Sequence, residues 1–245
     1  MKYSNGQTIN ELKKELSTIE NLYKANCVNW IGTTNNTNEL YSEIIADELV
    51  HNLAVFHQIS TVTRTETYCR ENHCNIEIDI CKSNRDEENF AKRLTGLTLE
   101  NIGLIKDYQI PLKDTRADKG LGKIDLISFN EETKTLYLIE LKYEGNKETL
   151  LRASLESYTY YKIIDKDKLK NDCFKNQNFI LNKVFNQLDP SEIIVKPAVL
   201  VVPNCKAYKE LKEVTLGQRP KLKALAHALD IKYFTLEFLT NEIIL

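Results

Sequence analysis

The chain has 245 residues, of which 42% are hydrophobic and 28% charged, and its 33 Lys+Arg against 35 Asp+Glu leave a formal net charge of −2. That length carries one large domain or a core with an added module, and the apolar fraction supports a sizeable core. No apolar run is long enough to span a bilayer and the first residues lack the apolar stretch of a signal peptide, so membrane-spanning and secreted classes are excluded and a cytoplasmic location is expected. The near-neutral charge neither signals nor excludes a nucleic-acid partner, because local sign matters more than the sum. Six cysteines (Cys27, Cys69, Cys74, Cys81, Cys173 and Cys205) scattered through such a chain read as free thiols in a reducing compartment.

In chain order, residues 7–23 carry Ile9, Leu12, Leu16, Ile19 and Leu22 on a helical stripe, and residues 38–56 carry Leu40, Ile44, Ile45, Leu49 and Leu53 likewise. A hairpin over 60–70 and 75–82 follows. Cys69, His73, Cys74 and Cys81 cluster across its turn, a loose match to zinc-ligand spacing against the plainer reading of isolated buried thiols. Residues 1–85 thus form an accessory module for dimerisation or substrate choice, and an exposed stripe there suits a homodimer.

Residues 86–102 read as an amphipathic helix with Phe90, Ala91, Leu94 and Leu97 on one side, leading into a first strand at 103–112. Residues 123–129 and 135–142 are both rich in strand formers, with the polar turn 130–134 between them. An antiparallel hairpin centred on that turn sets Asp125 opposite Ile139 or Glu140, within reach of cross-strand interaction. Along the second strand Leu136, Leu138, Glu140 and Lys142 share one face while Tyr137, Ile139, Leu141 and Tyr143 share the other. Both faces begin apolar, the pattern of a strand covered on two sides, so an acid and a lysine at its end must be paired, solvated or bound to an ion. Two converging acids beside a lysine suit a hard cation and a phosphate. A strand-end salt-bridge cluster is the plainer alternative.

The tripeptide alone is weak, since Glu11-Leu12-Lys13 and Glu210-Leu211-Lys212 repeat it in polar, helix-like surroundings that read as solvated faces. Beyond the hairpin, residues 148–162 have helical spacing and carry Arg152, Ser154, Glu156 and Tyr158. A buried strand at 192–202, a helix at 220–229 opened by Pro220 and a last strand at 233–239 complete the series. Two basic stretches, 162–170 and 206–223, are candidates for tracking phosphates or are ordinary solvated faces. His51, His57 and His227 have no partner pattern for nucleophilic catalysis and are assigned structural roles.

This order of helix, three strands, helix, strand, helix and strand resembles the PD-(D/E)xK nuclease superfamily over residues 86–239, with Asp125, Glu140 and Lys142 matching its motif one for one. Ile124 stands where the family's proline would be. Ser154-Leu155-Glu156-Ser157-Tyr158 has Ser in place of the Gln of the RecB-like subgroup's Gln-x-x-x-Tyr. The resemblance implies an α/β fold with a restriction-endonuclease-like core (αβββαβ with a further helix and strand), a mixed sheet flanked by helices, at residues 86–245. It implies a magnesium-dependent nuclease, manganese substituting, with Asp125, Glu140 and Lys142 catalytic and Asp125, Glu140 and a helix-borne acid holding metal. Glu87 is taken for that acid over Glu88, because it lines up with Phe90 and Leu94. The partner implied is nucleic acid, DNA ahead of RNA, cut by an endonuclease of prokaryotic restriction, defence or mobile-element systems. A catalytically idle member of the fold, serving as a nucleic-acid-binding or assembly subunit, is the alternative.

Overall fold

The computed structural model describes residues 2–69, 85–113, 122–175 and 188–236. The helices are α1 (Asn5–Glu15), α2 (Tyr41–His51), α3 (Asp86–Leu94), α4 (Leu150–Ile163), α5 (Lys166–Lys175), α6 (Lys206–Thr215) and α7 (Pro220–Ala228). The strands are β1 (Thr98–Leu99), β2 (Gly103–Pro111), β3 (Lys123–Asn130), β4 (Thr135–Lys142), β5 (Ile194–Val201) and β6 (Lys232–Thr235), in a six-stranded sheet of that same order. β1 to β4 pair antiparallel. Ile194 N donates to Lys134 O and Val202 N to Lys142 O, so β4 and β5 ascend together and the sheet is mixed. The chain is therefore an α/β protein. Among the described residues no helix is long and apolar enough to cross a membrane.

The chain forms two compact units interleaved in sequence. The strand unit comprises residues 61–141 and 160–198. Its hairpin forms where the strand formers predict: Asn130 pairs with Thr135 across a four-residue loop, Lys134 takes the left-handed conformation (φ +50), and Asn130 Oδ1 accepts from Thr133 N to close the turn. Gly103 (φ +84) is fixed by crowding, since a Cβ there would lie 2.1 Å from Phe129 O. The expected helix over 86–102 stops at Leu94. Gly96 follows with φ +90, and its N–H donates to Ile105 O while Ile105 N donates to Leu97 O, so residues 96–99 join the sheet instead. α5 begins within the basic stretch 162–170 and runs beyond it, with Asp165 at its start accepting from Lys168 N.

The helical unit comprises residues 1–60, 142–159 and 199–245. α1 opens with a capping box between Ser4 and Gln7. The stripe expected over 7–23 is helical only to Glu15, then tightens into a 3₁₀ segment, Leu16–Lys24, broken by Thr18 (φ −128, ψ 56). Leu12, Leu22, Ile45, Leu49 and Leu225 are fully buried at the core of this unit. Two buried acids cap helices here. Glu43 on α2 accepts from Lys221 N and Leu222 N at the start of α7 (3.0 and 2.9 Å), and Glu210 on α6 accepts from Leu150 N at the start of α4 (2.7 Å). Glu210 is 2% exposed and also pairs with Lys206 and Arg219, so the 210–212 tripeptide is not the solvated face its surroundings suggest. Of the hairpin expected at 60–82, residues 70–84 lie outside the described residues, and 60–69 form a single parallel bridge, Val62 to Ile164.

Candidate active site

Within the strand unit the pairing of Leu126 with Ile139 sets Asp125 level with Glu140, and the pairings of Tyr108 with Leu126 and Ile110 with Ile124 set Gln109 level with Asp125 on the other side. Gln109, Asp125 and Glu140 thus form a row across β2, β3 and β4. Residues level on paired strands share a face with Cβ atoms about 5 Å apart. Asp125 Oδ1 accepts from Gln109 Nε2 at 3.0 Å and Oδ2 from Leu141 N at 2.9 Å. Its carboxylate therefore takes a ladder position at the end of the β3–β4 pairing and is locked in orientation. Glu140 is 5% exposed. Like charges level on a sheet repel, so the two acids would sit here more easily with a positive charge between them.

Sequence reasoning missed Gln109. Strand alternation from Ile105 gives Gln109 the face of Ile105, but a bulge at Lys106, between the pairs Ile105–Ser128 and Asp107–Ile127, reverses the alternation. Gln109 also has φ +52. For a residue that is neither Gly nor Asn this costs about 1 kcal/mol, and such conformations concentrate at functional positions.

Lys142 ends β4 on the face of Glu140 by alternation. Within the helical unit its ammonium is almost fully buried and lies 2.6 Å from Glu148 Oε2 and 3.6 Å from Glu156 Oε2. The other oxygen of Glu148 holds Arg152 Nε at 2.9 Å. Thr149 fixes the start of α4: its hydroxyl accepts from Arg152 N, as an N-cap does, and donates to Val28 O. Ser154 and Tyr158, the positions resembling Gln-x-x-x-Tyr, are tied into this unit. The Ser154 hydroxyl donates to Leu150 O and meets Tyr233 OH at 2.7 Å, while Tyr158 packs edge-on against Phe56 at 5.2 Å. Burial first of all pushes the Tyr233 phenol well above its ordinary pKa, so it stays neutral.

Glu87 is half-buried on the first turn of α3, in line with Phe90 and Leu94. Glu88 is paired with Arg85 at 3.0 Å and Lys92 at 3.2 Å. Burial acts to raise the Glu88 pKa, but the hydrogen bonds from Arg85 and Lys92 outweigh it and hold the carboxyl below its ordinary value. No group of three His, Cys, Asp or Glu able to hold a metal gathers among the described residues, so Glu87 does not join Asp125 and Glu140 in such a group. Two carboxylates suffice for magnesium, which takes one or two and fills its shell with water and substrate phosphate. Asp125 and Glu140, level on adjacent strands, offer hard oxygen donors of the kind such an ion prefers.

Other sequence candidates resolve differently. Cys69 Sγ lies 3.3 Å from Cys173 Sγ, both buried, while His73, Cys74 and Cys81 lie outside the described residues. Much of the basic stretches is paired internally: Lys168 with Asp172, Lys170 with Asp167, Lys206 with Glu210, and Lys221 with Glu39 and Asp47. No protein-family profile, curated protein or solved structure matches the chain.

Proposed function

We propose that the protein is a divalent-metal-dependent nuclease of the PD-(D/E)xK type, with a restriction-endonuclease-like core, acting on DNA ahead of RNA in restriction, defence or mobile-element biology. The observation that carries the reading is the row Gln109–Asp125–Glu140, two acids side by side with one clamped by a side-chain amide and a backbone N–H. The run α3, β1, β2, β3, β4, α4, α5, β5 contains αβββαβ in order, with the two-residue β1 and the helix α5 added, and that order supports the fold assignment.

In this mechanism Asp125 and Glu140 would hold magnesium or manganese, with the Asp125 carboxylate oriented by Gln109 Nε2 and Leu141 N. Such an ion would supply Lewis-acid polarisation of the scissile phosphate and a water of lowered pKa. Lys142, two residues beyond Glu140, directs its ammonium at the phosphate oxygens as their charge grows and orients the attacking water. Glu148 and Glu156 hold that ammonium before substrate arrives.

The test is cleavage of supercoiled plasmid, linear duplex, single-stranded DNA and RNA with magnesium or manganese, beside EDTA controls and Lys142→Ala. Metal-dependent cutting lost in the variant is expected, and cutting that survives it removes Lys142 from the chemistry. Absence of cutting on every substrate would favour the second reading, a non-catalytic nucleic-acid-binding or assembly subunit. The observation on that side is the double ion pair of Lys142, which is also how a purely structural lysine is held.

A further inference from the structure

A cavity of about 500 Å³ in the helical unit is built from α1, the 3₁₀ segment Asn26–Asn29 and α4. Its walls include Tyr3, Trp30, Glu11, Glu15, Asn26 and Arg152. Trp30, the only tryptophan of the chain, is half-exposed and stacks on Tyr3 with centroids 4.2 Å apart and planes within 5°. The two sides of the cavity are tied together, because Asn29 Oδ1 accepts from Thr149 N at 2.8 Å and Thr149 Oγ1 donates to Val28 O at 2.7 Å. The Arg152 Nε is buried beside Glu148 without a well-angled hydrogen bond, and among the described residues no side chain is seen to take the rest of the guanidinium fork. Charge is divided across the site. Glu11 is paired with Lys14, whereas Glu15 stands by the buried Cys27 thiol, which burial first and then the Glu15 charge push up to about 11.

We infer that this cavity is a subsite for one unstacked nucleotide, with the base on the Trp30–Tyr3 wall, the phosphate on Arg152 and an exocyclic amino group of the base donating to Glu15. Aromatic side chains take splayed-out bases by stacking, a guanidinium takes phosphate through paired charge-assisted hydrogen bonds, and a carboxylate accepts from the amino group of cytosine but finds no such donor on uracil. A cavity of this size lies within the usual range for small-ligand sites. The subsite rests on the nuclease reading for the polymer to which the nucleotide belongs. Glu148, which holds Lys142 with one oxygen and Arg152 with the other, then places the bound nucleotide one carboxylate away from the catalytic lysine.

The single tryptophan supplies the assay. Intrinsic fluorescence of the full chain is titrated with CMP and with UMP in EDTA, so that no cleavage chemistry enters. Saturable quenching is expected, with CMP bound roughly tenfold more tightly than UMP. Arg152→Ala is expected to weaken both by about tenfold, and Glu15→Ala, which removes the acceptor, to abolish the difference between them. Absence of saturable quenching by either nucleotide, or a Glu15→Ala protein that keeps the cytosine preference, overturns the subsite. Glu15→Ala alone decides if Arg152→Ala does not fold. A protein that cuts but shows no cytosine preference loses only this subsite. One that shows the preference without ever cutting loses the nuclease and keeps the nucleotide site.

Discussion

The tripeptides Glu140-Leu141-Lys142 and Glu210-Leu211-Lys212 are identical, and both glutamates are buried, at 5% and 2% exposure. Their surroundings differ in kind. Glu210 meets a helix N-terminus and two cations, a set of donors that consumes its charge and leaves a structural joint between α6, α4 and the turn before α7. Its lysine, Lys212, lies over the Tyr208 ring at 4.5 Å. Glu140 is level with a second carboxylate, Asp125, and its lysine is held between two further acids. Burial of an acid is therefore no mark of chemistry. What sets Glu140 apart is its place level with a second carboxylate, the feature on which the proposed function rests.

The sharpest way to break this contrast is Lys142→Ala, which should lower the cleavage rate about 100- to 1,000-fold by removing charge stabilisation in the transition state. A rate within threefold of the parent would make both tripeptides structural. Glu210→Ala should cost about 3 kcal/mol of stability in chemical denaturation, because it strands the α4 terminus and leaves the buried Arg219 with Glu213 as its remaining acid. A loss under 1 kcal/mol would show that the joint is not maintained by charge. Asp165→Ala tests an acid that also begins a helix but sits near solvent, and should cost about 1 kcal/mol at neutral pH. The hydrogen bond from Lys168 N, then that from Thr63, holds the Asp165 carboxyl below its ordinary value. A depressed pKa contributes stability that is present above the unfolded-state value and lost as pH falls through the folded one. The difference between parent and Asp165→Ala should thus shrink from pH 7 toward pH 3. The smallest effect is expected for Glu140→Gln, which relieves the repulsion with Asp125 and should leave stability unchanged or raised by about 0.5 kcal/mol. A drop of 2 kcal/mol instead would give Glu140 the same structural standing as Glu210.

The hairpin carrying Asp125 and Glu140 was legible because its signals are local: two runs of strand formers, a polar turn, and a period of two that survives to the last residue of β4. α4 and the strand at 194–201 were legible for the same reason. What escaped depends on departures from period or on distant partners. Gln109 is hidden by the Lys106 bulge, which inverts the faces that alternation assigns. Glu210 reads as surface because its partners, Leu150 N and Arg219, lie 60 and 9 residues away in sequence. The pairing of Cys69 with Cys173 spans 104 residues, beyond the reach of any spacing rule. The interleaving of the two compact units is invisible to a reading that moves along the chain once.

The bulge also says where this chain tolerates a change of length. Lys106 is the surplus residue between two intact pairings, so its deletion keeps Asp107 on Ile127 and Gln109 beside Asp125. Deletion of a single residue at 107 or 108 can be absorbed in the same way, with Lys106 drawn into the pairing, whereas an insertion here would turn Gln109 to the opposite face. The bulge is thus a place in β2 at which a codon can be lost without dismantling the row.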